Sequence, residues 1–138
     1  MTELPLTGGC MCGGVRYELS APPESAIYCH CTRCQRRSGG SAAVSARVAR
    51  GSFAITRGAE LVSYYRPESG YEKAFCSECG SGLWSRNPDD HEEIGIRMGT
   101  FDDDPGVRPS VRQFVAYAVP WEPIPDDGLP RHPERRPN

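Results

Sequence analysis

Three cysteines fall within six residues in Tyr28-Cys29-His30-Cys31-Thr32-Arg33-Cys34-Gln35, and this spacing constrains the chain more than any other feature. In an extended segment alternate side chains share a face, so Cys29 and Cys31 point the same way, and a turn through Thr32-Arg33 brings Cys34 beside them. His30 faces the opposite side of such a segment and does not reach the same ion without a bend. The triple therefore offers one metal three thiolates. Structural zinc sites are almost always closed by four protein ligands, whereas catalytic sites usually keep three and leave a position for water or substrate.

The other four cysteines form two close pairs, Cys10-Met11-Cys12 and Cys76-Ser77-Glu78-Cys79. Glycines flank the first pair and Gly80 follows the second, permitting the positive φ that lets a backbone curl its amides toward sulfur. Together the pairs supply a closed four-thiolate site, which would contribute on the order of 10 kcal/mol of apparent binding free energy to folding. Cysteines in tight pairs and a triple, with an odd total of seven, suit metal sites rather than a disulfide framework. The expectation is two zinc ions, a structural one on Cys10, Cys12, Cys76 and Cys79 and an open one on Cys29, Cys31 and Cys34.

The segments between these motifs read as strands. Val15 to Ser20 alternates apolar and polar residues, and Ser25 to His30, Ala42 to Val48, Phe53 to Thr56 and Leu61 to Arg66 are short and rich in β-branched or aromatic residues. Tyr71 to Phe75 and Leu83 to Ser85 flank the second cysteine pair, and Glu93 to Met98 and Gln113 to Val119 read as later strands. Thr32 to Ser38 reads as a short polar helix. No long window holds a 3.6-residue apolar period, so the predicted fold is mainly β, with zinc knuckles. At 138 residues one domain is expected. It spans residues 1–129, and the proline- and charge-rich stretch 130–138 reads as a flexible C-terminal tail. Met1-Thr2-Glu3-Leu4-Pro5 has neither a basic start nor an apolar run, and no segment is long and apolar enough to span a membrane, so a cytoplasmic protein is expected.

Three thiolates donate so much charge that a metal they hold keeps little Lewis acidity for activating water. Such a site favours another soft ligand, and an incoming thiol would be deprotonated there yet remain nucleophilic. Arg33, Arg36 and Arg37 crowd the triple, and Arg33 and Arg36 are candidates to hold carboxylates of that thiol through bidentate pairs. Asp102, Asp103 and Asp104 read as a capped turn. Two rivals remain: a non-catalytic zinc module for a protein or nucleic-acid partner, and a zinc-storage or redox-sensing protein. A net charge of -2 argues against nucleic acid.

The motifs Gly9-Cys10-Met11-Cys12-Gly13, Cys29-His30-Cys31-Thr32-Arg33-Cys34-Gln35, Phe75-Cys76-Ser77-Glu78-Cys79-Gly80-Ser81, Gly99-Thr100-Phe101-Asp102-Asp103, Pro120-Trp121 and Asp127-Gly128-Leu129-Pro130 resemble, in this order, the glutathione-dependent formaldehyde-activating enzyme family. That family also includes centromere-protein-V-like proteins. The resemblance implies a tent-like arrangement of antiparallel β-sheets, with the two zinc ions assigned as above. It further implies a carbon-sulfur lyase type of enzyme that joins glutathione, as cosubstrate, reversibly to formaldehyde as S-(hydroxymethyl)glutathione, or handles a related glutathione conjugate. Its partners are then small thiols and aldehydes, with an oligomer possible. Arg112-Gln113 stands where many members carry a histidine.

Overall fold

The computed structural model describes residues 3–137, and they fold as ten strands with one α-helix. Strands β1 (Leu6–Gly9), β2 (Arg16–Leu19) and β5 (Phe53–Arg57) form a small antiparallel sheet in the order β1-β2-β5. Strands β3 (Ser25–Cys29), β4 (Ala43–Arg47), β6 (Val62–Tyr65), β7 (Glu72–Cys76), β8 (Gly82–Asn87), β9 (Asp90–Arg97) and β10 (Pro109–Gln113) form a second sheet in the order β10-β3-β4-β9-β8-β7-β6. All pairs are antiparallel except β10 with β3, so the larger sheet is mixed. The mainly β expectation holds, and helix α1 (Thr32–Ser38) falls where the sequence placed it.

Side-chain alternation gives the large sheet two unlike faces. Ala46, Ala74, Trp84, Ile94 and Ile96 point to one face and are buried. Against them pack Tyr17 and Leu19 from β2, which are fully buried, and Phe53 from β5, whose ring lies 4.8 Å from that of Trp84 in an edge-on arrangement. Aromatic pairs at such angles add to the stabilisation that burial already provides.

The first strand was not foreseen because Gly8 and Gly9 argue against one. Gly8 lies opposite Tyr17, and a Cβ there would meet the Tyr17 hydroxyl at 2.3 Å and the Thr100 carbonyl at 2.4 Å. Glycine leaves room for the Tyr17 hydroxyl to bond Thr100 Oγ1 at 2.7 Å. Leu61 belongs to a 3-10 turn, Ala59–Leu61, rather than to β6.

The strand expected over Gln113 to Val119 stops at Gln113. Phe114 takes a left-handed conformation with φ of 57°, and Val115–Tyr117 is a 3-10 turn. The cause lies in the stretch read as a tail, because residues 130–136 run beside β10. The Arg112 amide donates to the Pro130 carbonyl at 2.9 Å, the His132 amide to the Arg112 carbonyl at 2.9 Å, and the Phe114 amide to the Glu134 carbonyl at 3.0 Å. This segment covers the edge of the large sheet.

Arg112 ties the C-terminal loops to that sheet. Its side chain is nearly buried, pairs with Asp127 at 2.8 Å, approaches His30 Nε2 at 3.1 Å and stacks 4.0 Å over the Tyr28 ring. Asp102 closes a second junction, accepting from the Thr7 hydroxyl at 2.6 Å and pairing with Arg16. Asp104 accepts from the Gly106 amide at 2.8 Å and pairs with Arg108, as a capped turn should.

Removing Arg112 would take away the partner of Asp127 and leave a void beside Tyr28, so Arg112→Ala is expected to lower the midpoint of chemical unfolding. The Arg112 guanidinium holds the Asp127 carboxyl below its ordinary range, with the Leu129 amide helping. Because that pKa is depressed by folding, the stabilisation is present above the unfolded value of about 4 and is lost as pH falls through the folded one. The melting temperatures of wild type and Asp127→Asn should therefore differ at neutral pH and converge as pH is lowered below about 4.

Candidate metal centres and the adjoining cavity

The seven cysteines are all free thiols and gather into the two groups expected from their spacing. In each group the sulfurs lie within 4.8 Å of one another. Cys10 and Cys12 sit in the turn between β1 and β2, while Cys76 ends β7 and Cys79 lies in the turn before β8. Gly13 and Gly80, with φ of 76° and 79°, let each turn fold back, and their amides donate to the Cys10 and Cys76 carbonyls at 3.1 and 2.8 Å. The Val15 and Gly14 amides point at the Cys10 and Cys12 sulfurs at 3.2 and 3.4 Å.

These distances suit a metal. Tetrahedral zinc with bonds of about 2.3 Å spaces its sulfurs about 3.8 Å apart. Cys10 and Cys12 are 3.5 Å apart, and Cys12 and Cys76 are 3.9 Å apart. The Ser81 hydroxyl and amide draw Cys79 down to about 5. Cys12 ends up at about 11, since the Gly14 amide lowers it but the neighbouring sulfurs, Cys10 first, push it up. Sulfurs this close cannot all be negative unless a cation sits among them.

The triad is assembled by a strand end and a helix start. Cys29 is the last residue of β3, Cys31 is the N-cap of α1, and Cys34 stands in the first turn with its amide donating to Cys31 Sγ at 3.3 Å. The motif Cys-x-Cys-x-x-Cys therefore encodes a strand, a cap and a helical turn. Gln35 secures the bend by donating from Nε2 to the His30 carbonyl at 2.8 Å and the Tyr117 carbonyl at 2.9 Å. Hydrogen bonds from Cys29 and then Cys34 pull Cys31 down to about 2, and the same contacts, together with burial, push Cys29 far up. The triad thus has the donor chemistry of a metal site, with His30 turned away into a buried contact with Arg112, as the extended geometry required.

Of the arginines near the triad, Arg37 has turned inward. It donates to the Ala74 and Trp84 carbonyls at 2.6 and 3.1 Å and to Ser85 Oγ at 3.1 Å, anchoring α1 over β7 and β8 where their register shifts. Burial and the neighbouring Arg97 hold it near 10. Arg33 is exposed at the rim and donates to the Ser69 carbonyl at 2.5 Å, and Arg36 is exposed.

Cys29, Cys31 and Cys34 open into a cavity of about 280 Å³, whereas the four-cysteine group does not line it. Its floor is the second face of the large sheet. Arg47, Gly95, Ser85 and Lys73 are direct cross-strand neighbours across β4, β9, β8 and β7, and Ile27, Ser45 and Arg97 form the adjoining row. Small residues at the centre leave the hollow, since a Cβ on Gly95 would make only ordinary contact with Ser45. Arg33 lines the cavity and Arg36 does not. The sequence reading missed Lys73, Arg47 and Arg97. Their signal was the alternation within β7, β4 and β9, which put charged and small residues opposite the apolar positions.

Comparison with known proteins agrees with this architecture. Residues 5–117 match the family model described as glutathione-dependent formaldehyde-activating enzyme. A curated protein of Halomonas elongata, provisionally named as a glutathione-dependent formaldehyde-activating enzyme, is 34% identical over 105 residues, which are 72% of this chain and 67% of that protein. A crystal structure of a Rhodobacter sphaeroides protein superposes with a TM-score of 0.56 at 29% identity, covering 75% of this chain and 91% of the other. No helix among the described residues is long and apolar enough to cross a membrane. The chain belongs to the glutathione-dependent formaldehyde-activating enzyme family.

Proposed function

We propose that the chain is a zinc-dependent carbon-sulfur lyase-type enzyme that reversibly joins glutathione and formaldehyde as S-(hydroxymethyl)glutathione. The observation that carries this reading is the contrast between the two sulfur groups, because the three-cysteine group lines the cavity over the large sheet and the four-cysteine group does not. In this reading Cys10, Cys12, Cys76 and Cys79 would hold a structural zinc, and Cys29, Cys31 and Cys34 a second one. When bound, the second zinc would supply a soft cation that lowers the pKa of an incoming thiol.

The chain's own residues do the rest. The cavity walls orient the thiol and the aldehyde together, which can contribute several orders of magnitude in effective concentration. The thiol gives up its proton, a sulfur lone pair forms the carbon-sulfur bond, the carbonyl π pair moves to oxygen, and that oxygen takes up one proton in place of the one the thiol released. The reverse reaction returns both pairs. Arg37 keeps α1 seated on the sheet, so the sulfurs hold their places relative to the floor. The rival reading as a module for macromolecular partners drew on Arg33, Arg36 and Arg37, and it loses Arg37 to main-chain carbonyls.

Three outcomes follow. Glutathione added to the cobalt-substituted protein should produce a saturable rise in sulfur-to-cobalt charge-transfer absorption, and that rise should vanish in Cys31→Ala. Cys31→Ala should also lower formaldehyde-glutathione turnover at least about 100-fold, as loss of a main catalytic contact does, while leaving the circular dichroism spectrum native. Full turnover in that variant would show that the reaction centre lies elsewhere. Cys76→Ser strikes a fully buried sulfur of the four-cysteine group, so it should release one metal per chain and unfold the domain at 25 °C.

A further inference from the structure

The cavity is far more cationic than the chain that contains it. Arg33, Arg47, Lys73, Arg97, Arg135 and Arg136 line it, with Glu93 as its single carboxylate, although the whole chain carries a net charge of -2. Glu93 is already engaged, accepting from Asn87 Nδ2 at 2.7 Å and pairing with Arg47. Among the described residues no carboxylate pairs with Lys73, Arg97, Arg135 or Arg136. A concentration of cations without carboxylate partners in a concave site is costly unless anions enter it.

The cations come from two parts of the fold. Arg47, Lys73 and Arg97 stand on strands of the large sheet, where Arg97 donates to Ser45 Oγ at 2.8 Å. Burial first, then the Cys34 sulfur, Arg97, Arg37 and Arg33 act on Lys73. Arg136 lies in the field of Arg47 and Arg135. Arg47 and Lys73 stand in one cross-strand row, three strand spacings apart, which places their backbones about 14 Å from each other. The ends of an extended tripeptide lie roughly 10 Å apart, a span that this row exceeds by less than the reach of one long side chain.

Two of these cations come from outside the part of the chain that matches the family model, which ends at residue 117. They are held in place by the hydrogen bonds along β10 and by the Arg136 amide, which donates to Gln113 Oε1 at 3.2 Å. The same segment holds Phe114, another cavity residue, in its left-handed conformation through the Glu134 carbonyl. A non-glycine residue persists there only where its surroundings over-determine it.

We propose that residues 130–136 form a wall of the substrate site, in which Arg135 and Arg136 bind one carboxylate of a thiol carrying two, while Lys73 and Arg97 bind the other. This deepens the reading above and rests on it for the identity of the site. The wall selects dicarboxylate thiols such as glutathione over thiols without carboxylates.

The test uses the zinc-loaded protein and S-methylglutathione, which keeps both carboxylates and has no free thiol. By calorimetry, Arg135→Ala/Arg136→Ala should weaken its binding at least about tenfold, the scale of one charge-assisted pair, and should flatten the salt dependence. Arg135→Lys/Arg136→Lys, which preserves the charges, should recover most of the loss. Mercaptoethanol should alter the cobalt spectrum equally in wild type and in the double alanine variant. Equal S-methylglutathione affinity in wild type and the alanine variant overturns the wall, even if glutathione still perturbs cobalt. A loss confined to the alanine variant supports the wall, and if no thiol then perturbs cobalt, it is the thiol-on-metal reading that falls.

Discussion

The constraint on which this structure depends is the alternation of side chains along a strand. Across the central strands of the large sheet, Ala46, Ala74, Trp84 and Ile96 make the core, and Ser45, Arg47, Lys73, Ser85, Gly95 and Arg97 beside them make the floor of the cavity. Each strand therefore serves two masters, and a slip of one residue in β4 or β9 would exchange an apolar side chain for an arginine in the core. The small sheet presses on the apolar face and holds the register, so the precision of the hollow on the other side derives from packing that never touches a ligand.

The sulfur groups add a second constraint of a different kind. Like charges repel, so neighbouring sulfurs share protons through hydrogen bonds, which draw Cys31 down and push Cys29 up. The fold nonetheless brings Cys12 and Cys76 together across 64 residues of chain. Hydrophobic packing supplies part of the closure, since Cys76 is fully buried among Leu83, Trp84 and their neighbours. The amides of Gly14, Val15 and Cys34 supply another part by aiming their dipoles at sulfur.

Local spacing in the sequence carried much of this. The cysteine intervals foretold both groups, and the position of His30 within an extended run foretold that it would turn away. Most strands were legible from their composition. What escaped was set by partners remote in sequence. The β1 strand depends on a glycine opposite Tyr17, the end of β10 depends on residues 130–136, and Arg37 was drawn inward by carbonyls freed at a register shift between β7 and β8. The cationic floor also escaped, because Arg47, Lys73 and Arg97 come from three separate strands and become neighbours only when the sheet forms.

The edge pairing along β10 separates two kinds of information. Residues 130–136 are attached mainly through main-chain groups, which nearly any sequence can offer, while Arg135 and Arg136 face the cavity. Attachment and recognition are thus written in different alphabets. Side chains on this segment can be exchanged without renegotiating the core, the register or the sulfur groups, which makes residues 130–136 a region where ligand preference is free to drift while the chemistry stays fixed.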